Sequence, residues 1–287
     1  MSIATDVNAW FRATARDLPW RAPGYPAWGI LVSEIMLQQT QVARVVPRLA
    51  EWLERWPTPS SLAAEAPGEA VRAWDRLGYP RRALRLHAAA TAIARDHGDI
   101  VPSEVDALLA LPGIGEYTAR AVAAFAYGVR VPVVDTNVRR VLARAVAGQG
   151  EAGPPSTRRD LAAMDAILPV EPEAARITNA AVMELGAVVC LPRTPKCDVC
   201  PIAAQCAWRQ AGYPPYLGPR GARQPRFEGS DRQARGRMMA ELRASDVGVT
   251  DTEVAMVLPE PDVRRRILAG LLADGLVTRT DDGYALP

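Results

Sequence analysis

At residues 109–119 the chain reads Leu-Ala-Leu-Pro-Gly-Ile-Gly-Glu-Tyr-Thr-Ala, and this stretch joins two predicted helices over 104–110 and 116–127. Glycines in such a turn let the backbone approach a ligand closely. The N–H groups that open the following helix favour an anion, so a nucleic-acid phosphate suits the turn. A plain helix–helix connection has the same pattern, and the turn becomes specific only together with the features around it.

The segment after the second helix contains a candidate carboxylate. Residues 131–134 are predicted to be extended, and Asp135 is placed to cap a helix over 136–147. A position at a helix N-terminus favours the ionised form of a carboxylate. Asp135 is therefore a candidate anion for catalysis.

A second candidate carboxylate lies upstream, in an apolar helical pattern over 28–39. Glu34 falls among residues that such a helix buries, where a carboxylate is seldom left without a reason. The polar side chains that follow, Gln38, Gln39 and Thr40, donate and accept hydrogen bonds without charge. They suit base edges better than phosphates, although an amphipathic helix with a polar end has the same appearance.

All four cysteines lie in one short segment with the spacing Cys190-x6-Cys197-x2-Cys200-x5-Cys206. Four thiolates at this spacing can hold a [4Fe–4S] cluster or a tetrahedral zinc ion. Zinc ribbons more often use two CxxC pairs, and this segment has one, so the spacing favours the cluster and leaves zinc open. Clustered cysteines do not indicate a secreted disulfide framework.

The periodicity of the whole chain predicts a mainly α protein with no strand before residue 220. Residues 213–225 are predicted to be a linker. Helices near 231–243, 250–258 and 261–274, followed by a β-hairpin, predict a small winged-helix-like module over 226–287. That module could bind DNA, bind a protein or pack on the main body.

Composition adds few constraints. The net charge of +2 argues neither for nor against nucleic acid, and no apolar stretch is long enough to span a bilayer. We expect a soluble intracellular protein that makes no membrane contact. Lys196, inside the cysteine segment, is the only lysine in the sequence.

These motifs resemble those of the helix–hairpin–helix DNA glycosylase superfamily. Within it, three further stretches resemble the adenine DNA glycosylases of the MutY type, and the resemblance covers about residues 5 to 210. Those stretches are Leu18-Pro19-Trp20-Arg21, Met36-Leu37-Gln38-Gln39-Thr40-Gln41 and Leu77-Gly78-Tyr79.

The resemblance implies a two-lobed glycosylase fold over 1–212. One lobe would be a six-helix barrel over 27–131, and the other would be a cluster lobe formed by 1–26 with 132–212. It also implies a monomeric, nucleoid-associated cytoplasmic enzyme of base excision repair. Its substrate would be double-stranded DNA in which adenine is mispaired with 8-oxoguanine or guanine, and its cofactor a [4Fe–4S] cluster.

The resemblance also implies roles for individual residues. Glu34 would protonate the departing adenine, and Asp135 would stabilise the positively charged sugar, with Asn137 and Tyr117 beside it. The adenine pocket would be lined by Leu18, Trp20 and Arg21. The residues that would contact DNA are Gln38, Gln39, Thr40, Tyr79, Leu111, Gly113 and Gly115, and the cluster ligands would be Cys190, Cys197, Cys200 and Cys206.

The chain departs from the family pattern at Pro80 and at Ala180. Residues 226–287 are also predicted to be too short and too helical for the Nudix-like domain that typical members carry there. Related alternatives are an endonuclease III-type lyase, a thymine (T:G mismatch) DNA glycosylase and a non-catalytic DNA-binding protein. A lyase needs a lysine in the helix after the hairpin, and that region offers Tyr117 instead. The presence of both Glu34 and Asp135 argues against a non-catalytic protein.

Overall fold

The structure is a computed structural model that describes residues 2–219 and 226–287. The end of the predicted linker, residues 220–225, lies outside the described residues. Among the helices of the described ranges, none combines the length and the apolar character needed to cross a membrane.

The predicted mainly α architecture is confirmed, because the described residues form fifteen α-helices and three short strands. The helices are α1 Ile3–Thr14, α2 Ala27–Leu37, α3 Val42–Arg55, α4 Pro59–Ala63, α5 Pro67–Trp74, α6 Arg81–Asp96, α7 Val105–Ala110, α8 Glu116–Tyr127, α9 Thr136–Ala145, α10 Thr157–Asp165, α11 Pro172–Val188, α12 Ala207–Gln210, α13 Asp231–Ala244, α14 Asp251–Val257 and α15 Pro261–Ala273. The strands are β1 Val249–Thr250, β2 Thr278–Arg279 and β3 Gly283–Ala285, in the order β1-β3-β2 with both pairs antiparallel.

The sequence Leu18-Pro19-Trp20-Arg21-Ala22-Pro23-Gly24 predicts an extended segment, and the structure differs from that prediction at Pro19. Pro19–Arg21 forms a 3₁₀ turn, in which the backbone N–H of Arg21 donates to the Leu18 carbonyl at 2.9 Å. Proline at the first position fixes a φ angle that also suits a helical turn, and this accounts for the difference.

Contacts divide the chain into two compact units. The first unit contains the described residues of Met1–Ile30, Ser103–Asp106 and Gly115–Ala222, and the second contains those of Leu31–Pro102, Ala107–Ile114 and Arg223–Pro287. The predicted domain bounds, with lobes at 27–131 and at 1–26 with 132–212, remain a prediction.

The core of the first unit forms where α11 packs against α1 and α9. Fully buried members include Val7, Val138, Val182 and Leu185. The side chains of Cys190, Cys200 and Cys206 pack against this core. Because α9 follows directly after Asp135, the core fixes the position of that carboxylate.

The second unit has an aromatic core on α3 and α5. Trp52 meets Trp56 and Trp74 edge to face, with ring centroids 4.6 Å and 5.7 Å apart. Helix α6 closes this core, with Leu86 and Ile93 fully buried. The end of α5 leads directly to the loop that carries Tyr79.

The three helices and hairpin of the C-terminal module are confirmed, with β1 as an additional strand. The module packs on α5 and the start of α6, so of the three roles left open by the sequence, packing on the main body is observed. The Gly68 N–H donates to the Pro287 carbonyl at 2.6 Å, Arg72 donates to the Arg243 carbonyl, and Arg81 pairs with Asp274 at 3.1 Å.

Candidate active site and cysteine loop

Asp135 caps α9, as its position in the sequence predicts. One carboxylate oxygen accepts from the backbone N–H of Val138 at 2.7 Å, and the other accepts from the Asn137 side chain at 2.7 Å. A carboxylate held through both oxygens has a fixed orientation. Asp135 and Asn137, which the sequence predicts to act together, are thus in direct contact.

The cap favours the ionised form of Asp135, as expected, but it does not set the net direction of the pKa shift. Burial raises the pKa of Asp135 above its ordinary value. The donors of Val138 and Asn137 and the charge of Arg140 act against this shift without cancelling it. Desolvation of the charged form therefore outweighs the cap.

Arg140 extends this network to the cysteine loop. Its guanidinium donates to the Asn137 side-chain oxygen at 2.8 Å, to the Gly186 carbonyl at 2.6 Å and to the Cys190 carbonyl at 2.7 Å. Asn137 is thereby held on both sides, by Asp135 and by Arg140. The sequence analysis did not identify Arg140 as a functional residue.

The extended segment before Asp135 is anchored to α11 by Asn179, which is fully buried. Its side chain accepts from the Val133 N–H at 2.9 Å and donates to the Val131 carbonyl at 3.0 Å. Tyr117, from the first turn of α8, packs against the small core that contains Val133. Tyr117 and the segment that leads into Asp135 therefore share one packing cluster.

The predicted pocket residues lie in the first unit, after α1. Leu18 is buried, and Trp20 and Arg21 are partly buried. The Arg21 guanidinium lies over the Phe11 ring at 5.0 Å and pairs with Glu184 of α11 at 2.9 Å. Glu184 carries no motif signal in the sequence, and it is a site residue that sequence reasoning missed.

The four cysteines are free thiols that line one cavity, together with Arg144, Lys196 and Trp208. Arg144 donates to the Cys190 sulfur at 3.4 Å and to the Leu191 carbonyl at 2.7 Å. Burial, together with the charges of the other three cysteines, raises the pKa of the Cys200 thiol to about 11. Within the part of the chain that the structure describes, no three His, Cys, Asp or Glu side chains are arranged to hold a single metal ion.

Glu34 lies on the part of α2 that belongs to the second unit, with 5% of its surface exposed. Its neighbours Leu31, Val32, Ile35 and Met36 are all buried. The prediction that this carboxylate falls on an apolar helix is confirmed.

The predicted base-contacting residues after α2 form a strained turn. Gln39 is exposed and has a φ of 57°, and Tyr79, from the loop before α6, is 48% exposed with a φ of 50°. Non-glycine residues rarely adopt positive φ angles, and where they do the surrounding structure must hold them. In the second unit, Arg82 is the residue that holds these two segments in place.

Arg82, on α6, is 6% exposed and joins the two strained segments. Its guanidinium donates to one hydroxyl, that of Thr40, and to five backbone carbonyls, those of Ile35, Met36, Gln38, Leu77 and Gly78. Burial lowers the pKa of Arg82 to about 10. Because this value is still well above 7, the guanidinium is charged at neutral pH. The structure thus brings Gln38, Thr40 and Tyr79 together through a residue that the sequence analysis missed.

The hairpin turn has the features that its glycines predict. Gly113 has a φ of 75°, which favours glycine, and a side chain at Gly115 would meet no atom within 4 Å. Leu111 is buried, and its carbonyl accepts from the Ile114 N–H at 3.2 Å. The turn is therefore tight at Gly113 and open at Gly115.

Comparison with known proteins places the chain among repair enzymes. Residues 32–164 match the family model described as HhH-GPD superfamily base excision DNA repair protein. The chain is 55% identical over 285 residues to the adenine DNA glycosylase of Mycobacterium tuberculosis strain H37Rv, covering 99% of this chain and 93% of the relative. It is 53% identical over 285 residues to the adenine DNA glycosylase of Mycolicibacterium smegmatis, and the match covers 99% of this chain and 95% of that relative. The human adenine DNA glycosylase is 38% identical over 210 residues, which span 70% of this chain and 38% of the human protein.

Solved structures agree on the fold. A thermostable thymine-DNA glycosylase superimposes with a TM-score of 0.66 at 26% identity, covering 72% of this chain and 95% of that protein. Endonuclease III in a non-covalent DNA complex superimposes with a TM-score of 0.62 at 22% identity, covering 73% and 94%. At that identity the second likeness shows the fold alone.

Arg82→Lys tests the buried arginine between the two strained segments. A lysine ammonium cannot reach acceptors spread around a planar guanidinium, so several buried carbonyls lose their donor. We expect the free energy of unfolding to fall by about 2–4 kcal/mol, measured by urea denaturation. The matched control is Arg95→Lys on the same helix, where the arginine is 72% exposed and pairs with Asp96. We expect it to change stability by less than about 0.5 kcal/mol, and equal effects of the two variants would contradict the role of Arg82.

Proposed function

The chain belongs to the adenine DNA glycosylase family of the HhH-GPD superfamily, and from this membership we propose that it is a base excision repair enzyme that removes adenine from DNA. Its reaction is hydrolysis of the N-glycosidic bond of adenine mispaired with 8-oxoguanine or guanine in a duplex. The observation that carries this proposal is the 55% identity to a curated adenine DNA glycosylase over 99% of the chain.

The alternatives have less support. The thymine-DNA glycosylase superimposes at 26% identity, about half of the identity to the adenine enzymes. A non-catalytic DNA-binding protein would have no use for a buried carboxylate at Glu34 or for the fixed carboxylate of Asp135.

The chemistry requires two carboxyl groups in opposite protonation states. A base inside a duplex is out of reach, so the enzyme extrudes the adenosine into a pocket. Departure of the base leaves an oxocarbenium-like sugar, which an anion stabilises, and a proton on the base makes it a better leaving group. Water then adds to the sugar and completes the hydrolysis.

Asp135 supplies the anion. Its two oxygens are oriented by the Val138 N–H and by Asn137, and Arg140 holds Asn137 in turn. Because burial raises the pKa of Asp135, the ionised form is costly in the free site. A cationic sugar offsets that cost, so the carboxylate stabilises the transition state more than the ground state.

Glu34, which is 5% exposed on an apolar helix, supplies the proton. Leu18, Trp20 and Arg21 line the adenine pocket, and Tyr117 borders the reacting sugar. The strained turn with Gln38, Gln39 and Thr40 contacts the base stack, and so does the exposed ring of Tyr79. The hairpin residues Leu111, Gly113 and Gly115 contact a phosphate through the backbone.

Cys190, Cys197, Cys200 and Cys206 hold a [4Fe–4S] cluster. One observation supports it: all four thiols line one cavity. Arg144 beside the Cys190 sulfur supplies positive charge for a set of thiolates. When bound, the cluster would cross-link the four cysteines of the loop, and Arg140, which donates to the Cys190 carbonyl and to Asn137, would connect that loop to the site.

The remaining proposals come from the family resemblance and the sequence pattern. The enzyme acts as a monomer on duplex DNA and works in the cytoplasm at the nucleoid. The glycosylase domain is residues 1–212, with the winged-helix-like module at 226–287.

The function is tested by incubating the purified protein with duplexes that differ only at one mispair. Free adenine released from A:8-oxoguanine and A:G, with no thymine released from T:G, is the expected result. Release of thymine alone would support the alternative glycosylase, and release of neither base would contradict both.

Asp135→Asn tests the catalytic anion. The amide keeps the size of the side chain and loses the charge that stabilises the sugar cation, so single-turnover excision should fall by about 10³-fold or more. Mismatch binding should change little, because that charge develops only in the transition state. Glu34→Gln should behave in the same way, since an amide cannot protonate the base. The matched control is Asp165→Asn, at a half-exposed carboxylate paired with Arg130, which should excise at the wild-type rate.

Metal analysis tests the cysteine loop. We expect anaerobically purified protein to be brown, with about four irons per chain and broad visible absorbance. Cys200→Ser should lose iron and should impair folding or DNA affinity before it impairs the chemistry. Colourless protein with one zinc per chain would replace the cluster by zinc.

Borohydride trapping tests for strand scission. A lyase needs an amine that attacks the sugar, and guanidinium groups stay charged and cannot do so. Lys196, the only lysine, lines the cavity of the cysteine loop. We therefore expect a monofunctional enzyme whose abasic product breaks only with alkali or heat. A strong covalent complex that survives Lys196→Ala would show that another amine reaches the sugar.

A further inference from the structure

Glu184 is a buried carboxylate with no role in the mechanism described above. It lies near the end of α11, and its side chain is 1% exposed. A carboxylate in that position is costly unless it is paired and hydrogen-bonded. The partners of Glu184 therefore indicate its role.

Both partners are arginines from the segment that follows α1. Arg16 forms a bidentate ion pair with Glu184, in which Nε donates to Oε1 and Nη2 donates to Oε2, each at 2.7 Å. The backbone N–H of Arg16 also donates to Oε1 at 3.3 Å. Arg21 donates from Nη2 to Oε2 at 2.9 Å. These pairs lower the pKa of Glu184 to about 2, so the group is ionised throughout the neutral range.

The two arginines are also tied to each other. Arg21 donates from Nη1 to the backbone carbonyl of Arg16 at 3.0 Å, and its guanidinium lies over the Phe11 ring. The guanidinium of Arg21 is thus held by a carboxylate, a carbonyl and an aromatic ring. A side chain fixed in this way loses little conformational entropy when it binds a ligand.

Arg21 retains donors after these contacts. A guanidinium has five N–H groups, and within the described residues only one on Nη1 and one on Nη2 have acceptors. The Arg21 side chain is 23% exposed, so the remaining donors can reach a ligand. The heterocyclic edge of an extruded base presents the acceptors that such donors recognise.

We propose that Glu184 is the positioning residue of the base pocket, which fixes Arg21, with Arg16 as its second partner, so that Arg21 presents its remaining N–H donors to the extruded adenine. This inference rests on the proposed function. Arg21 touches the base, whereas Glu184 acts only through Arg21.

The first test compares Glu184→Gln with wild type in single-turnover excision of adenine from an A:8-oxoguanine duplex. An amide of the same shape has one acceptor oxygen and no charge, so it cannot hold both arginines. We expect excision to slow at least tenfold while the Kd for the duplex changes less than threefold. Unchanged excision in a folded variant would overturn the proposal.

The matched control is Glu173→Gln on the same helix. Glu173 is 56% exposed and pairs with Arg176 one turn away. Its substitution removes a carboxylate–arginine pair from α11 without touching Arg16 or Arg21. Wild-type excision by this variant is expected, and a loss equal to that of Glu184→Gln would assign the effect to the helix rather than to the pocket.

A double-mutant cycle with Arg21→Met separates positioning from general stability. If Glu184 acts through Arg21, adding Glu184→Gln to Arg21→Met slows excision by no more than about twofold beyond Arg21→Met alone. If the double variant instead loses as much rate as the product of the two single fold-reductions in excision, the proposal is overturned. Should Glu184→Gln fail to fold, Arg16→Gln takes its place in the cycle, because Arg16 is exposed and its loss leaves Glu184 paired with Arg21. The same absence of an added effect is then expected, and multiplication again contradicts it.

Failure of this inference and failure of the proposed function give different results. Wild-type protein that releases no adenine contradicts the function. Active wild-type protein with multiplicative effects contradicts only the role of Glu184.

Discussion

The close approach of α11 to α9 at Gly186 is the constraint on which the first unit depends. A side-chain carbon at Gly186 would lie 2.7 Å from the Asn137 Cβ and 2.8 Å from its carbonyl oxygen, so only glycine fits. Asn137 in turn donates to Asp135. Any side chain at Gly186 would push α9 away, and the carboxylate that caps α9 would move with it.

The same helix holds the other parts of the first unit's site. Asn179 anchors the segment before Asp135, and Glu184 anchors the arginines after α1. In the second unit Arg82 does the corresponding work for the two strained segments around Gln39 and Tyr79. In each unit a buried polar residue on a rigid helix orients exposed groups that lie on turns. Preorganisation of this kind is what chemistry in a pocket requires.

Local sequence signals predicted what depends on local structure. Helix α8 begins at Glu116 and ends at Tyr127 as periodicity predicts, and Asp135 caps α9 because an aspartate before an apolar repeat does so. Strand β1 was not predicted because two residues are too few to show alternation. Arg82 was missed because its acceptors are mostly backbone carbonyls, which leave no residue-type signature. Glu184 was missed because its partners, Arg16 and Arg21, lie far away in the sequence. The net pKa shift of Asp135 depends on burial, which the chain reveals only after folding.

The inward use of arginine bears on how the chain meets DNA. Of 34 basic residues only Lys196 is a lysine. Several arginines donate to backbone carbonyls inside the protein, as Arg82, Arg140 and Arg144 do. The planar guanidinium can reach several such acceptors with its five N–H groups, whereas the compact ammonium of lysine cannot. Arginine content therefore measures internal cross-linking as well as charge available to phosphates. The net charge of +2 therefore does not show how much positive charge is available to DNA.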